Sequence, residues 1–155
     1  MKTKILFIVA VMLAFVSCKK DVNSTDNPGS VNIIPASAVP SAVIAAFSSS
    51  FSGATETEWH QGSDDSYTCQ FNMDDKRHEA RFEDNGHQSS HSVICLDGAV
   101  PNGVLNAFRS VYPNDNVYEW KLTNENTWKA HFMRGSVKWE VTFNNSGSIL
   151  ETEHD

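Results

Sequence analysis

The segment from Val39 to Gly86 begins with VPSAVIAAF at residues 39–47, and the chain returns to this pattern 61 positions later with VPNGVLNAF at residues 100–108. The same offset superposes Glu58-Trp59 on Glu119-Trp120 without a gap. It continues through helix-like, turn-like and strand-like stretches alike. A constant offset of this kind predicts two copies of one supersecondary unit.

Each copy predicts a short helix followed by four strands. Pro40 and Pro101 open the two helices, in a first turn where the missing N–H is tolerated, and apolar residues follow at helical spacing. The period then changes to two, as in Tyr67–Met73, where large apolar and polar side chains alternate. Such alternation is typical of antiparallel strands with one buried and one solvated face. Glycine-containing turns at 84–86 and 145–147 support hairpins.

Together the two copies predict an α+β fold. We expect a tandem repeat of a helix plus four antiparallel strands, giving a sheet of about eight strands with two helices packed on one face. Burial of one large apolar side chain stabilises a fold by roughly 1.5 to 3 kcal/mol, so the aromatic residues are sufficient for a core. The predicted core consists of Phe47, Phe51, Trp59, Tyr67, Phe71, Phe82, Phe108, Tyr112, Trp120, Trp128, Phe132, Trp139 and Phe143.

Residues 1–17 have the pattern of a bacterial lipoprotein signal peptide. Lys2 and Lys4 precede an apolar run, Ile5 to Val16, that is shorter than the about 20 residues needed to span a bilayer. Ser17-Cys18 then resembles a lipobox, in which cleavage precedes the cysteine and the thiol carries the lipid, although Phe15 stands where an aliphatic residue is usual. We expect an exported protein, lipid-anchored to a bacterial membrane through Cys18 and facing the periplasm or the cell surface. A plain secretory signal is the alternative.

The remaining chain has room for one domain behind a tether. Residues 18–32 predict a flexible tether, because they are polar and cannot bury enough apolar surface to offset their ordering entropy. A single domain then covers 33–155, with repeats at about 39–96 and 100–155. The formal net charge is −7, and cleavage before Cys18 would make it −9. Nucleic acid is therefore not an expected partner, since it needs a clustered basic surface.

Cys69 and Cys95 would lie in an oxidising compartment, where a disulfide can persist. A disulfide between them and two separately buried thiols are both compatible with the sequence, since geometry rather than count decides pairing. A catalytic thiol is the weakest alternative, because no histidine is placed by local sequence to activate either cysteine.

The chain shows no motif of a catalytic or cofactor site. It contains no phosphate loop, no Gly-x-Ser-x-Gly and no His-Glu-x-x-His, so we predict neither enzyme activity nor a cofactor. His78, His87 and His91 lie near acidic residues, but their spacing fits no known metal-ligand pattern. Solvated histidines explain the same residues, and we predict no metal.

The predicted sheet leaves one face free of helices, and glutamates recur on it at equivalent positions of the two copies. A broad polar face suits protein recognition, where charges steer the encounter and fix the register. A cation site, a general acid–base pair and an inherited polar surface are the alternatives. Nearly all aromatic residues are predicted on the other face, which weakens the recognition hypothesis. The candidate partner-binding residues are Glu58, Gln70, Glu79, Arg81, Glu119, His131 and Glu140.

The full pattern is Val-Pro opening a short helix, a strand ending in Glu-Trp, alternating aromatic strands and a final Phe-x-x-x-Gly, given twice. It resembles the PepSY-like, beta-lactamase-inhibitor-like domains of bacterial exported proteins, which are often lipoproteins. The resemblance covers Ile33 to the C-terminus. It implies an antiparallel sheet backed by helices and a binding or inhibitory role outside the cytoplasm, and it carries no catalytic or binding residue over. We therefore predict a module that binds a protein or peptide through its open face. A small-ligand or metal-binding periplasmic module is the alternative.

Overall fold

The computed structural model of the protein describes residues 32–155. The predicted signal peptide and all of the predicted tether except Asn32 lie outside these residues. The elements, in chain order, are β1 (Asn32–Ile34), a 3-10 turn (Ala36–Ala38), α1 (Ser41–Ser50), β2 (Thr55–Gln61), β3 (Tyr67–Met73), β4 (Lys76–Phe82), β5 (Gln88–Cys95), a second 3-10 turn (Asp97–Ala99), α2 (Asn102–Val111), β6 (Val117–Thr123), β7 (Trp128–Arg134), β8 (Val137–Phe143) and β9 (Ile149–His154).

The strands form one antiparallel sheet in the order of the chain, from β1 to β9. The predicted antiparallel sheet with two helices is confirmed, and the described residues contain nine strands, one more than the eight of two four-stranded units. The additional strand is β1, which includes Asn32. Three residues are too few to show alternation, so the sequence pattern could not separate this strand from the tether.

Equivalent elements recur at a spacing of 61 residues. The two helices, β3 and β7, and β4 and β8 each begin and end 61 positions apart. The pairing repeats as well, since Ile34 lies opposite Trp59 in β1–β2 and Cys95 lies opposite Trp120 in β5–β6. Strand β5 is therefore the last strand of the first half of the sheet. It also pairs with β6 in the same way that β1 pairs with β2.

Each helix begins directly after its proline. Pro40 and Pro101 are the N-cap residues of α1 and α2, so each lies one position outside the predicted first turn. The carbonyl of Pro40 accepts a hydrogen bond from the N–H of Ile44 at 3.1 Å, and that of Pro101 accepts from Leu105 at 3.1 Å. The fixed φ of proline thus sets the direction in which each helix leaves the preceding turn.

Both helices pack on the same face of the sheet, which we call the helix face. Phe47 of α1 lies 5.2 Å from Trp59 and 5.0 Å from Phe71, and Phe108 of α2 lies 5.2 Å from Phe132, all measured between ring centroids. All residues of the predicted core are buried except Trp139, which is half-buried. Edge-to-face aromatic pairs of this kind add to the stabilisation from burial.

Two glycine turns hold the sheet against the helices. Gly86 and Gly147 have φ angles of 88° and 93°, which glycine adopts more readily than any other residue. A Cβ on Gly86 would lie 2.7 Å from the carbonyl oxygen of Ala42, and one on Gly147 would collide with the carbonyl of Gly103. Glycine is thus needed twice at each turn, for the backbone conformation and for the close approach to the helix.

Cys69 and Cys95 are separate thiols. Cys69 lies in register with Ala80 and His91, and Cys95 follows His91 by four residues along β5. Four residues of a strand span about 13 Å, which exceeds the about 7 Å that a disulfide can bridge between Cα atoms. Burial raises the pKa of Cys69 to about 12, so its thiol is unreactive.

Candidate functional site

The face opposite the helices, which we call the open face, carries all seven candidate residues. Residues paired across neighbouring strands point to the same face of a sheet. Pairing therefore aligns a first row, Glu58, Gln70 and Glu79, across β2, β3 and β4. A second row, Glu119, His131 and Glu140, crosses β6, β7 and β8. The seventh candidate, Arg81, lies opposite Thr68 on the same face.

Lys121 joins the two halves of the open face. Its Nζ lies 2.6 Å from Oε1 of Glu79 in the first half and 3.1 Å from Oε1 of Glu119 in the second. Gln70 Nε2 donates a hydrogen bond to the other carboxylate oxygen of Glu79 at 3.0 Å. The Lys121 side chain is only 11% exposed. Charge-assisted hydrogen bonds of this length fix the side chains they connect.

The protonation of this network follows from the competition between burial and pairing. Burial by itself would raise the pKa of Glu79, but the ammonium group of Lys121 and the hydrogen bonds from Lys121 and Gln70 outweigh it and lower the pKa. Burial would likewise lower the pKa of Lys121, but Glu79 and Glu119 raise it. Both groups are therefore charged at neutral pH.

The second row contains a buried histidine that is not a cation. Burial, followed by the repulsion of Lys121 and Lys138, lowers the pKa of His131 to about 3. Its Nε2 lies 3.2 Å from Oε2 of Glu140 but makes no hydrogen bond among the described residues. Lys129 supplies the ion pair to Glu140. Neutral His131 therefore fills space in the second row and does not balance the negative charge of the glutamates beside it.

The candidate residues differ in how much a partner could reach them. Glu58 and Arg81 have side chains that are 46% exposed, whereas Glu79, Glu119 and Glu140 are only 20 to 22% exposed. His131 is buried. The face is free of helices, as expected, but the expectation that it is solvated is wrong at its centre. The side chains there are long and bond to one another, so they cover the sheet themselves.

Tyr118 is an exposed aromatic residue that the sequence pattern did not single out. Alternation from Trp120 would put it on the helix face, but a β-bulge between Val117 and Glu119 inserts an extra residue. Tyr118 is 55% exposed and its ring lies 6.3 Å from that of His131 on the open face. Exposed Met133 lies on the same face, two residues after His131. A bulge is not visible in the period of a sequence, so the sequence pattern could not place Tyr118 on the open face.

A polar concavity of about 600 Å³ lies over the open face. Its lining includes Glu79, Arg81, Lys121, Lys129, Glu140 and Glu151. Small-molecule sites are mostly apolar with a few polar groups. A lining of mainly charged and polar side chains therefore suits the polar groups of a macromolecule better than a drug-sized ligand.

The histidines that we weighed as metal ligands do not gather on the open face. His78 and His91 lie on the helix face, with ring centroids 5.3 Å apart, and His78 is buried rather than solvated. His87 lies in the exposed turn after β4. Within residues 32–155, no three His, Cys, Asp or Glu residues are arranged to hold a metal ion.

The described part of the chain contains no helix with the length and apolar character needed to cross a membrane.

Comparison with known proteins identifies the fold. No protein-family model matches the chain, and no curated protein matches it. Among solved structures, it is similar to a DUF2874 family protein from Bacteroides ovatus, with a TM-score of 0.59 and 19% identity over 74% of this chain and 86% of that one. A candidate periplasmic protein from Bacteroides eggerthii has a TM-score of 0.58 and 18% identity, covering 75% and 88%. A BLIP-like protein from Bacteroides fragilis has a TM-score of 0.58 and 22% identity, covering 78% and 87%. The chain thus has a beta-lactamase-inhibitor-like fold.

Proposed function

We propose that the protein is a non-enzymatic, exported module that binds or inhibits another protein through its open face. The observation that supports this most strongly is the position of Tyr118. It places an exposed aromatic side chain beside a charge network that is already ordered. Tyrosine is one of the residue types enriched among the energetic centres of protein interfaces.

The charge network supports recognition of a protein because its geometry exists before binding. Lys121 holds Glu79 and Glu119, so these side chains would lose little conformational freedom when a partner docks. Charges at fixed spacing also select the register of a partner and speed its approach. The fold of the BLIP-like protein from Bacteroides fragilis is consistent with this kind of role.

The location and origin that we propose rest on the sequence. The N-terminal pattern supports export and attachment of lipid at Cys18, which would hold the domain near a membrane facing the periplasm or the cell surface. The matching bounds of elements 61 residues apart support duplication of one PepSY-like unit. After duplication only the second half would have acquired Tyr118, since the first half has Thr57 at the equivalent place.

Site-specific photo-crosslinking tests the open face as the docking surface. A benzophenone amino acid placed at Tyr118 should capture a partner in the envelope of the source bacterium, because residue 118 points out of the bulge. The matched control is the same amino acid at Thr57, and a second control is at Ser49 on the exposed side of α1; both positions are exposed. We expect capture at 118 well above capture at 49.

The Tyr118→Ala variant completes the test. The residue is exposed, so truncation should leave the melting temperature nearly unchanged, while the affinity for the captured partner should fall by about tenfold or more if Tyr118 is an energetic centre of the interface. Equal capture at 49 and 118, or a partner that binds the variant as tightly, would refute the proposed surface.

A further inference from the structure

Strand β9 is an open edge of the sheet. All six of its residues, Ile149–His154, are exposed, and within residues 32–155 it pairs only with β8. The other edge, β1, has three residues and is followed by Pro35, which lacks a backbone donor. An edge strand presents free N–H and C=O groups with which another strand can pair. Short length and proline protect β1, whereas no proline protects β9.

The pairing of β9 with β8 shows which backbone groups remain free. The N–H of Asp155 donates to the carbonyl of Lys138 at 3.1 Å. Hydrogen-bonding direction alternates along an antiparallel strand, so Glu153 and Glu151 turn their backbone groups towards β8. Thr152 and His154 consequently turn their N–H and C=O groups outwards, where a new strand would lie.

The side chains beside these free groups are acidic. Glu151 lies opposite Thr142, and Glu153 lies opposite Glu140, so both belong to the open face. Like charges directly opposite one another destabilise a strand pair. Lys129 pairs with Glu140, while neither Glu151 nor Glu153 has an ion pair among the described residues. The edge therefore carries two carboxylates that form no ion pair within residues 32–155.

This charge argues against a second copy of the chain as the occupant. Two β9 strands could pair antiparallel with Thr152 opposite Thr152, Thr152 opposite His154, or His154 opposite His154. The first arrangement places Glu151 against Glu153, the second Glu153 against Glu153, and the third Glu153 against Asp155. Every arrangement that uses the free backbone groups therefore brings carboxylates together.

We propose that the outer edge of β9 binds an extended cationic segment of another protein, which pairs antiparallel as a tenth strand. Hydrogen bonds to Thr152 and His154 hold its backbone, and lysine or arginine side chains at alternate positions lie next to Glu151 and Glu153. This mode of recognition combines main-chain affinity with side-chain selectivity. The proposal adds an interface at the sheet edge and does not depend on the role of Tyr118.

A synthetic peptide with alternating threonine and lysine, acetyl-TKTKTKT-amide, is the probe. Hydrogen exchange on the purified chain should show new protection of the amides of Thr152 and His154 when the peptide is added. The amides of Glu151 and Glu153 should change little, because they already bond to β8. The peptide acetyl-TETETET-amide should not bind, and Tyr118→Ala should leave binding of the lysine peptide unchanged.

Variants of β9 separate backbone pairing from simple charge attraction. Thr152→Pro removes an outward N–H from an edge strand, where proline is tolerated, and should abolish binding, whereas Thr152→Ala should retain it. Glu151→Gln with Glu153→Gln should weaken binding about three- to tenfold. The proposal is overturned if Thr152→Pro binds as well as Thr152→Ala, if the peptide protects no amide of β9, or if sedimentation shows self-association that Thr152→Pro removes.

Discussion

Two rows of side chains cross the open face. Their strands pair in the same way, but the residue at the centre of each row differs in charge behaviour and hydrogen bonding. In the first half, Gln70 lies between Glu58 and Glu79 and donates a hydrogen bond to Glu79. In the second half, His131 occupies the equivalent position and makes no such bond. A neutral amide satisfies its neighbour at any pH, whereas a buried imidazole is tolerated only while it is uncharged. On the open face, the second row is therefore the one that contains an acid-sensitive histidine.

The two halves also differ on the helix face, where the buried histidine belongs to the first half. His78 stacks on Phe71 in the first half, and its Nδ1 lies 3.0 Å from Nε2 of His91. The second half has Trp139 and Thr152 at these positions, and Trp139 stacks on Phe132. Each half thus buries a histidine, His78 on the helix face and His131 on the open face.

The largest expected effects concern the shared aromatic plan. Phe47→Ala and Phe108→Ala should each destabilise the protein by about 3 to 5 kcal/mol, because each removes a ring that touches several others and leaves a cavity. Chemical denaturation should show a single transition for both variants. Val111→Ala, at an exposed position of α2, is the control. Two separate transitions, of which only one moves, would show that the halves are independent.

The next effect concerns the contact between the halves. Lys121→Met leaves Glu79 and Glu119 close together without their cation. We expect a loss of about 2 to 3 kcal/mol at pH 7, somewhat below the cost for a fully buried pair. Glu79→Gln in the same chain should recover a large part of it. Thermal denaturation at pH 7 measures both, and a Lys121→Met chain as stable as the wild type would show that the link is unimportant.

The smallest expected effect sharpens the comparison of the two rows. Since the pKa of His131 is lowered from 6.5 to about 3, its contribution to stability is complete above pH 6.5 and declines as the pH falls towards 3. At pH 5 the loss is about 2 kcal/mol. His131→Gln, which gives the second row the residue of the first, should remove this loss in denaturation curves recorded from pH 7 to 5.

His87→Gln is the control for that series, because His87 lies in the turn with its side chain 65% exposed. It should leave the pH dependence of stability as in the wild type. If His131→Gln behaves like His87→Gln, the acid response originates elsewhere, and the next place to look is His91, whose pKa is lowered by burial and then by His78.

Much of the fold could be predicted because its signals are periodic. Alternation in Tyr67–Met73 placed Phe71 in the core correctly, and glycine at Gly86 marked a real turn. The errors lie where periodicity carries no information. His78 is interpreted as solvated because it is polar, yet it is buried, and the pattern makes no prediction for Tyr118, which a bulge turns to the open face. The importance of Lys121 depends on Glu79, which is 42 positions away along the chain, and no local pattern could reveal it.

Strand β5 is paired on both sides, with β4 and with β6. Without β5, the first half would lose its last strand and the second half would lose the strand that pairs with β6. Neither half could therefore be separated with all of its strand pairs. The same sharing makes the architecture extensible: an inserted unit would bring one helix and four strands and would borrow its opening strand from the unit before it. The twist accumulated by each addition would then limit how many units a single sheet could hold.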